Sequence, residues 1–299
     1  MINIIIRTTL LLALSSGIAA APSEPEPQPD PRAQLAQMLS MVDSLADDDI
    51  GLMVRVHFAT HTGDFDRARE FYRKLGWTEG NAGFPLTNTH LMAQALGMND
   101  VCQYELEKGE VISLPGSLNT ANIDLLQFKT PFNPDPPYRL PNHLGMAYAS
   151  LLTTNLESDV GYLKSIGVEF LSEPYGIPGN QFAFFRDPDG VLYKLIETAP
   201  PHGDTGANMH LIAMPYIAVN VSDFDKSLAF YAQFGYTAVR MLPESGTLEE
   251  AQAYGLDQPF RIKGADIALN RGDRHVLRLV QWIDPHDDEP AYPPPINHI

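Results

Sequence analysis

The sequence predicts an α+β fold assembled from repeated βαβββ modules, and three observations carry that prediction. The chain copies itself: Phe71-Tyr72 with Gly76 returns as Phe230-Tyr231 with Gly235, and Asp64-Phe65-Asp66 as Asp223-Phe224-Asp225, both 159 residues later. Ala93-Gln94-Ala95 returns as Ala251-Gln252-Ala253, Asp124-Leu125-Leu126-Gln127-Phe128 as Arg278-Leu279-Val280-Gln281-Trp282, and Pro141-Asn142-His143-Leu144 as Ile296-Asn297-His298-Ile299. The second observation is a change of period inside each unit, from two-residue alternation to helical spacing and back. The third is punctuation by proline, 25 residues of it, concentrated between the units rather than scattered through them.

Met1 to Ala21 carries one charge, Arg7, then the apolar run Leu10 to Leu14 and a small-residue stretch ending Ala19-Ala20-Ala21, the layout of a secretory signal peptide over 1–21. The expected location is therefore secreted or periplasmic. Residues 22–32, with prolines at 22, 25, 27, 29 and 31, read as an extended linker. Leu35, Met38, Leu39, Val42 and Leu45 fall at helical spacing and predict an amphipathic helix over 33–50. Cys102 is the single cysteine, so no disulfide is available within the chain, and it reads as a small buried apolar residue.

The first module spans 51–130. Val54, Val56 and Phe58 alternate with Arg55, His57 and Ala59, giving a strand with one apolar and one polar face. Asp64 is a helix N-cap, Ala68, Phe71 and Tyr72 share a helix face, and Gly76 stops the helix. The second module, 142–199, repeats the plan: a strand over Met146 to Leu151, Asn155 as cap, Gly167 as stop, strands at Val168 to Phe170 and Gln181 to Phe185. Asp187-Pro188-Asp189-Gly190 then turns the chain into a last strand, Val191 to Ile196. The third module covers 213–284. Residues 285–299 repeat the first linker and read as the start of a fourth module.

Lysine plus arginine number 20 against 37 aspartate plus glutamate, a net charge of −17. That balance argues against binding to nucleic acid, because phosphate neutralisation needs a basic surface. The partners expected are a small-molecule ligand or substrate, with no nucleic acid and, once the signal is removed, no membrane.

The segments "GDFDRAREFYRKLGW" (Gly63 to Trp77), "SDFDKSLAFYAQFGY" (Ser222 to Tyr236) and "FRDPDGVLYKLIE" (Phe185 to Glu197) resemble the vicinal oxygen chelate (VOC) superfamily of glyoxalase I, bleomycin-resistance proteins and extradiol dioxygenases. That resemblance implies that two modules pair into a curved mixed sheet whose concave face holds a ligand, often around a divalent metal bound from the first and last strands of each module. Transferred to this chain, those positions are His57 and Asp124 in the first module, Tyr148 and Lys194 in the second, and Tyr216 and Arg278 in the third. His57 and Asp124 suit Zn, Ni, Fe or Mn, whereas an ammonium and a guanidinium have no lone pair to give.

Two functions follow as expectations. One is a ligand-binding protein without metal, in which Asp124 and Lys194 form a salt bridge and Tyr148, Tyr216 and Arg278 bind the ligand. The other is a lyase or dioxygenase in which His57 and Asp124 hold one divalent metal and His57 and Lys194 are catalytic. The sequence expects residues 52–200 to close as one unit of modules 1 and 2, with His57, Asp124, Tyr148 and Lys194 lining one pocket. It also expects the third module to leave Tyr216, Val280 and Trp282 on an open concave face, to be covered by a continuation of the chain or by self-association. Limited proteolysis of the full chain should cut first in Pro22 to Arg32 and around His202 to Asn208, ahead of any site inside a module; earlier cleavage within a module would contradict the boundaries.

Overall fold

The capping signals read from the sequence place the first helix where expected. Helix α1 (Phe65–Leu75) begins at Asp64, whose side chain accepts the Arg67 amide, and ends at Gly76 with φ 116°, a left-handed conformation that suits glycine. The same logic sets α2 (Leu156–Ser165) behind Asn155 and α3 (Phe224–Ala232) behind Asp223. A short helix, α4 (Leu248–Ala253), follows Thr247. The computed structural model describes residues 57–82, 105–118, 121–130, 135, 137–198, 208–269 and 276–285. The segments expected to be a signal peptide (1–21), a linker (22–32) and a helix (33–50), together with Cys102 and most of 285–299, lie outside the described residues, all of which belong to one unit, Leu52–Ile299. Among the described residues no helix is long and apolar enough to cross a membrane.

In the first module β1 (Phe58–His61), β2 (Glu79–Ala82), β3 (Glu105–Ser113) and β4 (Asn122–Thr130) form a sheet in the order β1-β4-β3-β2, with β1 parallel to β4. The second module contributes β5 (Gly145–Thr153), β6 (Phe182–Arg186) and β7 (Leu192–Glu197). The strand expected at Val168 to Phe170 is reduced to a single bridge from Phe170 to Phe185. The third module contributes β8 (Leu211–Ala213), β9 (Tyr216–Asn220), β10 (Thr237–Met241), β11 (Ser245–Gly246), β12 (Phe260–Ala268) and β13 (Val276–Asp284).

These last two modules form one nine-stranded sheet, β10-β12-β13-β9-β5-β7-β6, with β11 on β12 and β8 on β5. Each half repeats the order of the first module, its opening strand lying parallel to its closing strand, β5 to β7 and β9 to β13. The halves meet where β5 and β9 run antiparallel, from Gly145 opposite Asn220 to Ala149 opposite Ile217. Ser150 fastens the join, its hydroxyl donating to the Tyr216 carbonyl at 2.7 Å and accepting the Tyr216 amide at 2.9 Å. Asn220 adds side-chain bonds to the carbonyls of Pro141 and His143.

The pairing therefore differs from the sequence expectation: module 2 shares its sheet with module 3, and module 1 has a sheet of its own. Alternation along a strand fixes which side chains face the core, but it leaves open which edge the strand offers to which neighbour. Nor is the concave face of the third module open. Tyr216, Val280 and Trp282 are buried there, covered by module 2 and by Ala251 and Tyr254 of the α4 segment, so they give no reason for self-association.

Module 1 packs its helix onto the helix-bearing side of module 2. Phe71, Tyr72, Leu75 and Trp77 join Leu151, Leu156, Leu163 and Tyr193 in one core. The Asp187–Gly190 turn is the polar part of this joint. Asp189 accepts from the Thr62 hydroxyl (2.6 Å), the Gly63 amide (3.1 Å) and Arg67 (2.8 Å). Asp187 accepts from the Tyr72 hydroxyl at 2.8 Å and from the amides of Asp189 and Val191.

Two predictions follow. Cleavage at His202 to Asn208 should leave modules 2 and 3 associated, so the nicked protein should elute as one species under native conditions; spontaneous separation would deny the β5–β9 join. The second concerns Asp187, whose carboxyl burial pushes up to about 7, against the hydrogen bonds it accepts. Because the folded state then binds the proton more tightly than the unfolded one, this group's contribution is greatest below pH 4 or so and is lost as pH rises toward about 7. Asp187→Asn, unable to ionise, should flatten urea-unfolding stability between pH 5 and 8 on the order of a few kcal/mol; an unchanged pH slope would contradict the assignment.

Candidate functional site

The concave face of the nine-stranded sheet holds a cavity of about 690 Å³. Its wall is largely aromatic, with Phe182, Tyr254, Phe260 and Trp282 beside Ile196, Leu242 and Val280. Its polar lining includes four side chains from the central strands: Tyr148 on β5, Lys194 on β7, Tyr216 on β9 and Arg278 on β13. They come from the opening and closing strands of the two joined modules, and the antiparallel β5–β9 pair brings those strands together.

Arg278 is the best-held of the four. Its Nε and Nη2 make a two-pronged contact with Asp266 at 2.7 and 3.1 Å, its Nη1 donates to the Tyr216 hydroxyl at 2.7 Å, and its guanidinium lies 3.7 Å from the centre of the Tyr216 ring. Arg240 donates to the same carboxylate, so two cations share one anion. Burial works to raise the Asp266 carboxyl, but Arg278 and Arg240 outweigh it and hold it below the ordinary value. Burial also favours neutral Arg278, and Tyr216 and Asp266 reverse this, keeping it fully charged.

Lys194 is in a different state. Its Nζ donates to the Tyr254 hydroxyl at 2.8 Å and sits 3.7 Å from the centre of the Phe182 ring and 4.6 Å from that of Tyr254. Burial first, and the charge of Arg278 second, bring its ammonium well below the ordinary lysine value, while Glu250 pulls the other way. Cation–π attraction to the rings is worth roughly 2 kcal/mol when desolvated. Removing an ammonium from water costs several kcal/mol, so burial shifts the balance toward the neutral amine. Tyr148, Tyr216 and Tyr254 are all raised by burial and keep their protons.

His57 and Asp124 lie elsewhere, in the first module. Asp124 is buried on β4, opposite Ala59 of β1, and its Oδ1 has no hydrogen-bond partner among the described residues. Burial pushes its carboxyl up and the nearby His57 pulls it down. His57 itself is exposed just before β1. The sequence expected Asp124 to meet Lys194 and all four of His57, Asp124, Tyr148 and Lys194 to share a pocket. Instead Lys194 bonds Tyr254, because Asp124 and Lys194 belong to different sheets.

The chemistry of the donor set at the β5–β9 cavity does not fit a divalent metal. Protonated tyrosine hydroxyls are weak donors, a guanidinium has no lone pair to give, and the single Lys194 nitrogen beside the charge of Arg278 does not make a ligand set. At His57 and Asp124 the two side chains are suitable donors, although among the described residues no three of His, Cys, Asp or Glu are grouped to hold a metal ion.

Sequence reasoning missed Asp266, Arg240, Tyr254 and Phe182. Asp266 stands directly opposite Arg278 in the β12–β13 register, at the place Val111 occupies opposite Asp124 in module 1. The repeat thus carried a signal: where one module has an acid on its closing strand, another has the base there and the acid on the adjacent strand. Tyr254 comes from the segment after α4 and has no such signature. Removing the shared anion should expose the cost of this arrangement. Asp266→Ala leaves Arg278 buried without its carboxylate and should cost about 3–5 kcal/mol by denaturant unfolding; a loss below about 1 kcal/mol would mean the pair is solvated, as exposed ion pairs are.

Residues 55–195 match the family described as Glyoxalase/Bleomycin resistance protein/Dioxygenase superfamily. No curated protein sequence matches the chain. Among solved structures, glyoxalase I from Zea mays is 16% identical, with a TM-score of 0.49 over 78% of this chain and 69% of its own. A glyoxalase family protein from Bacillus cereus is 18% identical, with a TM-score of 0.40 over 52% of this chain and 100% of its own. A glyoxylase/bleomycin resistance protein/dioxygenase domain from Frankia is 17% identical, covering 49% of this chain and 98% of its own at a TM-score of 0.35. Over residues 55–195, a little under half of its length, this chain is similar to the Glyoxalase/Bleomycin resistance protein/Dioxygenase superfamily.

Proposed function

We propose that the protein is an exported binder of small organic molecules, working without a metal at the cavity between modules 2 and 3. One observation carries the reading: in the cavity whose four strand positions the family resemblance marks for metal ligands, this chain has Tyr148, Lys194, Tyr216 and Arg278, a donor-rich end set in an aromatic wall. An apolar body would pack against Phe182, Phe260 and Trp282, while an oxygen acceptor, carbonyl or carboxylate, would face Arg278 and the tyrosine hydroxyls. Export rests on the signal-like composition of residues 1–21.

A second reading, a divalent-metal lyase or dioxygenase using His57 and Asp124, is favoured by the buried Asp124 Oδ1 that lacks a hydrogen-bond partner among the described residues. Metal analysis separates the two. Near-stoichiometric metal lost in His57→Ala supports the enzyme, and a folded protein free of metal supports the binder.

Binding itself is tested with 3-phenylpropionate, an aromatic body ending in a carboxylate. Titration should quench tryptophan emission saturably through Trp282, the cavity's tryptophan, whereas Trp77 is enclosed in the module 1 core. Trp282→Phe should abolish the quench, and Arg278→Lys, which keeps the charge but loses the fork, should weaken binding about tenfold. No saturable change up to millimolar ligand would defeat the reading.

A further inference from the structure

We propose that Lys194 is an amine nucleophile that condenses with a small aldehyde or ketone of apolar body, forming an imine in the cavity between modules 2 and 3. This rests on reading that cavity as a small-molecule site and names its substrate class.

The geometry supplies what the step needs. Lys194 lines the cavity and yet is almost wholly removed from bulk water, so a reactant entering along the aromatic wall reaches its nitrogen directly. Among the described residues no carboxylate is within ion-pair distance of it, and its polar contact is the uncharged Tyr254 hydroxyl at 2.8 Å. The charged groups lining the cavity are Arg240, Arg278 and Glu250, and both arginines bind Asp266. A lysine desolvated among rings and set beside other cations is the environment in which an amine keeps its lone pair at neutral pH; the depressed basicity of Lys194 agrees with it.

In the step, the Nζ lone pair attacks the carbonyl carbon as the C=O π pair moves to oxygen. A proton passes from nitrogen to that oxygen, and Tyr254, already within hydrogen-bond reach of Nζ, is placed to relay it. Loss of the hydroxyl and the second N–H proton as one water leaves the C=N bond. No oxidant or reductant enters, and water is the only by-product. A carboxylate next to the carbonyl would face Arg278, which marks aromatic oxo acids as the best-matched members of the class.

The experiment mixes the full chain with phenylpyruvate and sodium cyanoborohydride, which reduces an imine to a stable secondary amine, and reads intact mass and peptide maps. One adduct per chain, on Lys194, is expected. It should be absent in Lys194→Arg and formed roughly tenfold more slowly in Tyr254→Phe. Because Lys194→Arg can disturb folding, the peptide map of the unaltered protein is decisive: adducts on exposed lysines such as Lys164 and Lys263, with none on Lys194, overturn the proposal. 3-Phenylpropionate, which lacks the oxo group, separates the two levels of failure. Saturable binding of it without trapping of phenylpyruvate sinks the imine and leaves the binding site standing, and absence of both sinks the site as well.

Discussion

The antiparallel contact of β5 with β9 is the constraint on which the site depends. Each of these strands opens a module, and in each module the closing strand lies parallel beside it. Joining the two opening strands therefore gathers four strands, two opening and two closing, at the centre of one sheet. Tyr148, Lys194, Tyr216 and Arg278 meet because of that topology and because of nothing local to any of them. Ser150 and Asn220 satisfy backbone groups at the join that would otherwise be buried without partners, a cost of about 1–3 kcal/mol each.

The polar groups gathered there sit in an apolar enclosure, and the enclosure sets their state. Arg278 keeps its charge because Asp266 and Tyr216 reach it directly. Lys194 has aromatic rings and a neutral hydroxyl around it, and burial favours the neutral amine. Two basic side chains lining one cavity are thus shifted in opposite directions, Arg278 toward its charged form by its partners and Lys194 away from it by burial.

Much of this was legible in the sequence, and the limit of legibility is physical. Asp64 and Asn155 were readable as caps because a cap acts over three residues. Tyr148 and Tyr216 were readable by counting back from the helix stops Gly167 and Gly235, since the repeat preserves that distance, and Lys194 and Arg278 by the closing-strand positions that the family resemblance implies. Which module pairs with which was not, because an opening strand offers a similar edge in every module and the choice is made by contacts between Ser150 and Tyr216, far apart in the chain. Asp187 and Asp189 were read correctly as turn residues, while their bonds to Tyr72, Thr62 and Arg67 join residues more than 100 positions away and leave no local trace. Asp266 sits between these cases, visible once β12 and β13 are placed side by side.

Native-state hydrogen exchange tests the β5–β9 join most directly. If modules 2 and 3 share one sheet, the central amides of β5, β7, β9 and β13 should exchange through a single large opening, with the same free energy and the same dependence on urea. Exchange of the β9 amides through a smaller opening that leaves β5 protected would mean that the modules open separately, and the cavity could not then be a product of their union.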